Sequence, residues 1–392
     1  MAVYREEKES MTGETNRLLK SVMKTVYRNR KPLPKEPVTV VRHEVSDGGP
    51  MCEVWFMTQG CAYDREGGCV MCNYGKGHIV EEQLILSQLR EAFGKMPAGD
   101  YNLTVNPSGS FLDEREVPPS LRRGIYDLLD QVPFSSLTIE SRADVITPEL
   151  LKELRERYSD RLVSVEMGVE TLDPWLLVNS VNKGVSVEKI YEAVKMVHNA
   201  GLRCVANIGL GLPFISERAN IKAAQRSVAE TIQANFDSVI LFPYHVKRGT
   251  LLELLHENGR YRCVSLWALA EVLRGTREYL PKVNISWYRN YYTDKTKVIS
   301  SPDTCPQCWE KVLKLFDRYK AEPCFEQLDA LRSFDCGCRK AWENRLKNEA
   351  DHIVFSDVEA DFRFIADQFE IDSTLLDLEL EKMKVSLCAD RK

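Results

Sequence analysis

The sequence predicts an α/β fold in which strands and helices alternate around one parallel sheet. Six short β-rich runs are separated by helical patterns, at residues 53–58, 101–106, 136–140, 162–166, 203–210 and 237–243. These runs are almost continuously apolar, which is typical of parallel strands covered by helices. The simplest closure is a partial β/α barrel, and a doubly wound open sheet is the alternative. In either arrangement the loops that follow the strands would carry the chemistry.

The helical patterns between these strands carry apolar residues three and four positions apart. The clearest of them cover residues 81–93, 146–158, 186–201 and 217–235. The third ends at Gly201, and glycine suits the left-handed conformation that closes many helices. After residues 284–292 the strand–helix alternation stops.

These patterns divide the chain into four expected segments. They are an N-terminal extension (1–45), a β/α barrel (46–292), a cysteine-rich metal-binding segment (293–348) and an acidic helical tail (349–392). The net charge of −5 argues against a protein that coats nucleic acid by charge alone. The basic stretch 24–35 is expected to be a solvated arm, and contact with a phosphate-bearing substrate is the alternative.

The cysteines are interpreted through the expected compartment. No apolar run approaches the roughly 18 residues that span a bilayer, and the first ten residues lack the apolar core of a signal peptide. We therefore expect a cytoplasmic protein that makes no membrane contact, in which the 12 cysteines are metal ligands or free thiols. Four scattered cysteines are expected to be packed thiols: Cys52, Cys204, Cys263 and Cys388.

Three cysteines form a loop directly after the first predicted strand. Cys61, Cys69 and Cys72 have the spacing C-x7-C-x2-C. Three thiolates suit zinc or an iron–sulfur cluster. A structural zinc would need a fourth ligand, which His78 could supply. A [4Fe–4S] cluster would instead leave one iron open to an outside ligand, and this would make the loop a site for chemistry.

The loop resembles the cysteine motif of the radical S-adenosylmethionine (SAM) superfamily, although the usual spacing there is C-x3-C-x2-C. Further motifs follow in the order of the Elp3-like branch: GCAYDREGGCVMCNYG, NPSGSFLDEREVP, IESRADVIT, VEMGVETLD, NKGVS and LPFISE. Within that branch the chain is most similar to the family of the radical SAM subunit of archaeosine synthase, over about residues 50–345. The longer first spacing occurs in some branches of the superfamily.

The resemblance implies a partial (β/α)6 TIM-like barrel whose three loop cysteines hold a [4Fe–4S] cluster. The cluster would cleave SAM reductively to a 5′-deoxyadenosyl radical, which abstracts hydrogen from a substrate carbon. A flavodoxin- or ferredoxin-type protein would supply the electron. The expected SAM-binding residues are Ser108, Gly109, Ser110, Glu140, Arg142, Glu166, Glu170 and Asn182. The serine–glycine turn would accept from the SAM ammonium group, the charged residues would meet the ribose and carboxylate, and Asn182 would help to complete the adenosine pocket.

The end of the sixth predicted strand offers candidates that meet the substrate. Tyr244 and His245 are the predicted catalytic residues, although a lone histidine is more often structural. Lys247 and Arg248 would suit a phosphate, a carboxylate or an RNA backbone. The resemblance implies carbon–nitrogen cleavage on a lysine-modified deazaguanine in transfer RNA (tRNA), with tRNA or a tRNA-modifying enzyme as partner.

Two alternatives to that function stay open. One is a radical SAM enzyme that acts on a small nucleoside or an amino-acid-like metabolite, including sulfur insertion from an auxiliary cluster. The other is a non-enzymatic zinc- and RNA-binding protein.

A second group of cysteines follows the barrel: Cys305, Cys308, Cys324, Cys336 and Cys338. Soft ligands at this density indicate a metal site. An auxiliary [4Fe–4S] cluster is the favoured interpretation, and a zinc knuckle is the alternative. One of the five is spare under four-coordination, and we expect it to be Cys324 or a member of the C-G-C pair.

Overall fold

The main sheet is open and mostly parallel. The computed structural model describes residues 15–32, 39–46, 49–96, 101–291 and 297–389. The sheet contains, in spatial order, β1 (Thr39–Ser46), β2 (Gly49–Phe56), β3 (Tyr101–Pro107), β4 (Phe134–Ser141), β5 (Leu162–Glu170), β6 (Arg203–Leu210), β7 (Ser238–Pro243) and β9 (Val283–Ile285). Two short strands, β8 (Val246–Lys247) and β10 (Val298–Ser300), form a separate antiparallel ladder.

The predicted partial barrel is confirmed, with one parallel strand more than expected. From β2 to β9 each neighbouring pair is parallel, and β1 pairs antiparallel with β2. The six β-rich runs of the sequence correspond to β2 through β7. Strand β9 is only three residues long, so it carries too few positions for a periodic signal. Strand β1 lies at the end of the expected N-terminal extension.

Helices follow most strands, as a parallel sheet requires. They are α1 (Arg17–Asn29), α2 (Ala62–Arg65), α3 (Glu82–Gly94), α4 (Pro119–Leu129), α5 (Pro148–Arg157), α6 (Pro174–Leu176, continued by a π-turn, Leu177–Val181), α7 (Val187–Asn199), α8 (Glu217–Gln233), α9 (Leu251–Glu257), α10 (Leu266–Gly275), α11 (Trp309–Ala321), α12 (Phe325–Ser333), α13 (Gly337–Leu346), α14 (Phe355–Gln368) and α15 (Ser373–Ala389). The four helices predicted most clearly are confirmed as α3, α5, α7 and α8. Ser186 and Ser216 cap the last two, and Gly201 has a φ of +72° after α7.

The apolar interior consists of two clusters. The larger one contains the sheet, its covering helices and helices α11 to α13. The smaller one joins α1, the cysteine loop, α9, α14 and α15. Hydrogen bonds join its distant parts: the Trp175 indole donates to the Met383 carbonyl (2.8 Å) and the Arg17 amide donates to the Glu379 carboxylate (3.0 Å). Helix α1 lies against the cysteine loop, and α15 packs against α1.

The structure bears on two further expectations. Among the described residues no helix is both long and apolar enough to cross a membrane. The described part of the basic stretch, residues 24–32, is not simply solvated, since Arg30, at the end of α1, is buried, and residues 33–35 lie outside the described residues. The division into four segments stays a prediction.

Candidate functional site

The cysteine loop lies at the carboxyl end of β2, where the barrel fold places its chemistry. Cys69 is buried, Cys61 and Cys72 are partly buried, and all three are free thiols. Burial raises the pKa of each thiol, that of Cys72 to about 12. The Lys183 and Arg142 cations oppose this effect at Cys69. Buried thiols of this kind ionise when a metal takes the place of their protons, so the donor set fits a metal cluster.

The spacing of the loop thiols does not suit a single ion. Within the described ranges, only the C-terminal cysteines bring three or more ligand atoms to within 4.8 Å of one another. At least one pair of the loop thiols therefore stands farther apart than this, and His78 does not complete a compact set with them. The zinc alternative for this loop has no support in the structure. A cluster with several irons between the thiolates agrees better with such a spacing.

An ion pair from α1 holds the cysteine loop in place. Arg30 donates to the Asp64 carboxylate at 2.5 Å, and both side chains are buried. The same guanidinium donates to the Cys72 carbonyl (2.9 Å) and to the Gly249 carbonyl (2.8 Å). Asp64 also accepts from the Gly75 amide at 2.7 Å. One arginine thereby joins the loop to the turn that precedes α9.

Asn182, which is expected in an adenosine pocket, also holds the cysteine loop. Its side-chain amide donates to the carbonyls of Gly67 (2.8 Å) and Gly68 (3.0 Å). Its own carbonyl accepts from the Tyr63 hydroxyl at 2.8 Å. The residue is fully buried and has a φ of +56°, a conformation that asparagine tolerates better than most residues. The buried side-chain oxygen of Asn182 has no hydrogen-bond partner among the described residues, so its expected role in an adenosine pocket stays a prediction.

The serine–glycine turn after β3 is joined to the cysteine loop by a carboxylate. Glu116 accepts from the Ser110 amide (2.6 Å) and from the Ala62 amide (2.7 Å). A side chain at Gly109 would meet Glu116 at 1.7 Å and the Cys61 Cα at 3.2 Å. Only glycine therefore allows the turn to approach the loop this closely. The Ser108 hydroxyl accepts from the Thr58 amide at 2.9 Å, so it binds the end of β2.

Two carboxylates face each other on adjacent strands inside the barrel. Glu140 on β4 and Glu166 on β5 are paired in register. Burial and the neighbouring Glu166 raise the pKa of Glu140 to about 8, and burial raises that of Glu166 to about 7. The Asn207 amide donates to Glu166 at 2.6 Å and opposes the second shift. Burial and their mutual repulsion therefore favour the protonated forms of this pair at neutral pH.

A second buried network lies at the ends of β5 and β7. Lys183 and Tyr244 bind opposite oxygens of the Glu170 carboxylate, at 3.0 Å and 2.8 Å. Burial lowers the pKa of Lys183, but the Glu170 carboxylate outweighs this and raises it. Burial and Glu170 together raise the pKa of Tyr244 well above its usual value. Tyr244 is therefore a neutral hydrogen-bond donor that holds Glu170.

Arg142 lies between these groups and the loop. Its guanidinium makes two hydrogen bonds of 2.9 Å to the Asp144 carboxylate and stacks over the Tyr63 ring at 4.2 Å. Its amide donates to the Ser110 hydroxyl at 3.2 Å. A cation fixed by a carboxylate and a ring is preorganised for an anionic group of a ligand.

Comparisons with known proteins agree with this arrangement. The family model described as the radical SAM superfamily matches residues 55–223. The chain carries a radical SAM domain. It is 28% identical over 301 residues to the archaeosine synthase subunit beta of Thermococcus kodakarensis, which covers 74% of this chain and 90% of that protein. It is 26% identical over 303 residues to the protein of the same name from Methanosarcina acetivorans, which covers 76% and 85%.

A solved structure of the archaeal Methanocaldococcus infernus Elp3 with an N-terminal deletion is also similar. It shares 18% identity over 62% of this chain and 60% of its own, with a TM-score of 0.46. The resemblance to the radical SAM superfamily and its Elp3-like branch is confirmed, and so is the assignment as an enzyme. The non-enzymatic alternative is thereby set aside.

The predicted catalytic role of His245 in this radical SAM domain is not supported by its contacts. Its Nε2 lies 2.6 Å from the Trp287 carbonyl and its Nδ1 lies 3.0 Å from the Ser301 hydroxyl. Burial lowers its pKa to about 4, so the ring is neutral. Both ring nitrogens have protein partners, so the residue joins three segments, and its catalytic role stays a prediction. Lys247 stacks over the Tyr74 ring at 4.5 Å, and Arg248 forms an ion pair with Glu253.

The C-terminal cysteines gather as expected, with one exception. The thiols of Cys305, Cys308, Cys336 and Cys338 lie within 4.8 Å of one another. Cys324, at the start of α12, is not in this set. The radical SAM domain is therefore followed by a cluster of cysteines that can hold a second metal.

Sequence reasoning missed the residues that support the loop from elsewhere. Arg30, Asp64, Glu116 and Lys183 were not singled out, although three of them lie within the quoted motifs. Glu116 follows the serine–glycine turn in NPSGSFLDEREVP, and a carboxylate so near a turn was the available signal. Arg30 gave none, since one arginine in a basic stretch looks like any other.

Proposed function

We propose that this radical SAM enzyme holds a [4Fe–4S] cluster on Cys61, Cys69 and Cys72 and acts on a modified nucleoside. The observation that carries the proposal is the three-thiol loop, fixed above the acidic interior of a parallel sheet. Its thiols are buried and near cations, and the loop offers three ligands where a closed site has four. When bound, the cluster and SAM together supply reductive cleavage of a sulfonium and a carbon-centred oxidant.

The protein's own part is to fix the loop and to exclude water. Arg30 and Asn182 hold the loop from two sides, and Glu116 holds the serine–glycine turn against it. Helix α1 lies against the loop, and α1, α14 and α15 belong to the same apolar cluster as its buried residues. A reactive intermediate survives only where such an enclosure keeps competing reactions out.

The proposed SAM-binding groups lie around this loop. We assign the SAM carboxylate to Arg142, whose guanidinium is already oriented by Asp144. Glu140 and Glu166 lie deeper in the barrel, and Glu170 is held ready by Lys183 and Tyr244. Carboxylates in this position suit ribose hydroxyls or an amine. Ser108, Ser110 and Asn182 instead support the framework through their contacts with the protein.

The substrate class rests on the relatives and on the acidic interior. The relatives named archaeosine synthase subunit beta favour a modified nucleoside in tRNA. Burial raises the pKa of both Glu140 and Glu166, and the positive charge of an amine-bearing substrate would favour their ionised forms. A lysine-modified deazaguanine carries such an amine. We propose this group as the substrate, with tRNA as its carrier and a small electron-transfer protein as reductant.

The first experiment asks whether the loop carries the chemistry. Anaerobically reconstituted protein with dithionite and SAM is expected to form 5′-deoxyadenosine. Cys61→Ala, Cys69→Ala and Cys72→Ala are each expected to reduce this to the level of a protein-free sample. Cys324→Ser, which removes a thiol outside both sets, is the matched control and keeps full activity. A loop variant that still cleaves SAM would refute the ligand assignment.

The second experiment tests the substrate. The same protein receives tRNA that carries the lysine-modified deazaguanosine, or the free nucleoside at equal concentration. We expect faster 5′-deoxyadenosine formation and an altered nucleoside with the tRNA, detected by mass spectrometry after digestion. Turnover of the free nucleoside alone would favour the small-metabolite alternative. No effect of either would refute the modified-nucleoside proposal and leave the radical SAM assignment standing.

A further inference from the structure

We propose that Cys305, Cys308, Cys336 and Cys338 form a closed structural zinc site. The sequence favours an auxiliary iron–sulfur cluster at this place. The geometry points to a single ion held by four thiolates, with Cys324 outside the site.

The first argument is the separation of the sulfur atoms. Four pairs of Sγ atoms lie at nearly equal distances: 305–308 at 3.5 Å, 305–336 at 3.6 Å, 308–338 at 3.5 Å and 336–338 at 3.4 Å. All four atoms lie within 4.8 Å of one another. A tetrahedron with zinc–sulfur bonds of about 2.3 Å has edges of roughly 3.8 Å. The four thiols already stand close to that size.

A cubane cluster would require a wider set of thiols. Each of its four cysteines binds a different iron, and the irons lie between the sulfur atoms. The thiolates must therefore be separated by an iron–iron distance and by two bonds that point outward. The observed distances of 3.4–3.6 Å leave no room for this. The loop at Cys61 shows the opposite case, since its thiols do not gather within 4.8 Å.

The second argument is the backbone that presents the thiols. The Cys305 carbonyl accepts from the amides of Cys308 (3.1 Å) and Trp309 (3.0 Å), which makes a tight turn at the start of α11. The Cys336 carbonyl accepts from the amides of Arg339 (3.0 Å) and Lys340 (3.3 Å) at the start of α13. Two helices thus direct their positive ends at four thiolates, which stabilises their negative charge.

The third argument is the second layer of contacts. The Trp267 indole on α10 donates to the Cys338 sulfur at 3.4 Å. The Arg339 guanidinium lies over the same indole at 5.5 Å. Donors and cations around a thiolate set offset the net charge of −2 that four thiolates leave on a zinc ion. Outer contacts of this kind accompany metal ligands and fix their orientation.

The site joins the C-terminal segment to the barrel. Below it, Trp342 and Arg345 of α13 donate to the Glu217 carboxylate, at 3.0 Å and 2.5 Å. Glu217 begins α8, and the same carboxylate accepts from the Ser265 amide before α10 (2.7 Å). A metal would add a further link to the apolar packing of these short helices against the main cluster. The zinc ion would therefore link α11 to α13, and the contacts of α13 join both helices to the barrel helices α8 and α10.

The test uses a variant that lacks the other metal site, so its result does not depend on SAM cleavage. The triple variant Cys61→Ala/Cys69→Ala/Cys72→Ala is purified anaerobically, and its metals are counted by mass spectrometry. We expect about one zinc per chain, as a four-thiolate site binds, and no iron above background. About four irons per chain, as in a [4Fe–4S] cluster, would overturn the proposal, and so would an absence of bound metal.

A second measurement identifies the ligands. The triple variant is loaded with Co²⁺ in place of zinc, and the visible spectrum is expected to show the thiolate charge-transfer and ligand-field bands of a tetrahedral site. Adding Cys338→Ser should remove about a quarter of the charge-transfer intensity, as one thiolate of four is lost, or all bound metal, with folding followed by circular dichroism. Adding Cys324→Ser, the matched control, should leave the spectrum unchanged. A loss of the bands in the Cys324→Ser variant would overturn the assignment.

Discussion

The two groups of cysteines in this chain differ in the number and the spacing of their thiols. The loop at Cys61, Cys69 and Cys72 has three separated thiols, and residues from distant parts of the chain hold it. The C-terminal group has four thiols at nearly equal distances, presented by two helix starts close to them in sequence. An open site needs outside support because its own ligands do not close it. A closed site supports itself and its surroundings, so damage to one should leave the other intact.

The largest effect is expected from breaking the buried ion pair that holds the loop. In Arg30→Met the Asp64 carboxylate stays buried without its partner, which costs about 3–5 kcal/mol of folding free energy. We expect the variant to lose its iron and its SAM cleavage and to keep its zinc. Iron and zinc per chain, with thermal unfolding, measure this.

A double variant gives the control for that prediction. Arg30→Met/Asp64→Asn removes both charges and should recover part of the lost stability, because no carboxylate is then buried alone. If both metals fall together in Arg30→Met, the two sites are not independent, and the comparison fails.

A smaller effect is expected at Asn182, where amide and backbone contribute separately. Asn182→Gly removes the hydrogen bonds to the Gly67 and Gly68 carbonyls but keeps the left-handed backbone, at a cost of about 1–3 kcal/mol. Asn182→Ala adds backbone strain of about 1 kcal/mol or more. Iron occupancy should fall in the order wild type, glycine, alanine. Equal iron occupancy in all three proteins would show that the side-chain hydrogen bonds of Asn182 do not hold the loop.

The carboxylates of the interior predict a pH dependence. In the folded chain Glu140 and Glu166 have pKa values of about 8 and 7. In an unfolded chain both side chains lose their protons near pH 4.5. Their contribution to stability is complete below pH 4.5 and is lost as the pH rises through 7 to 8. Glu166→Gln should therefore gain melting temperature relative to wild type at pH 9 and lose that advantage at pH 5. A difference in melting temperature that does not change with pH would contradict the raised pKa values of these two carboxyl groups.

The smallest effect on chemistry is expected at His245. His245→Gln should cleave SAM at close to the wild-type rate, because both ring nitrogens serve protein contacts. We expect a loss of stability of about 1–3 kcal/mol from the partners left unsatisfied. A drop in SAM cleavage of more than about 100-fold, with folding and iron content unchanged, would restore His245 as a catalytic residue.

The sequence predicted the barrel well because its strands and helices are periodic. The strands β2 to β7 follow apolar runs, and capped helices separate them. It missed β9, which has three residues, and the contacts of Arg30 and Glu116, which depend on partners far along the chain. The spacing of the C-terminal cysteines in the sequence also could not distinguish zinc from an iron–sulfur cluster. C-x2-C pairs serve zinc and iron–sulfur sites alike, and only the distances between folded thiols separate the two.

The most direct test of the difference between the sites is X-ray absorption at the iron and zinc edges of one reconstituted sample. We predict zinc with four sulfur neighbours at about 2.3 Å and no metal neighbour, and iron with iron neighbours, as in a cluster. Adding SAM should change the iron spectrum and leave the zinc spectrum as it was. Iron in place of zinc, at twice the expected amount, would contradict the account.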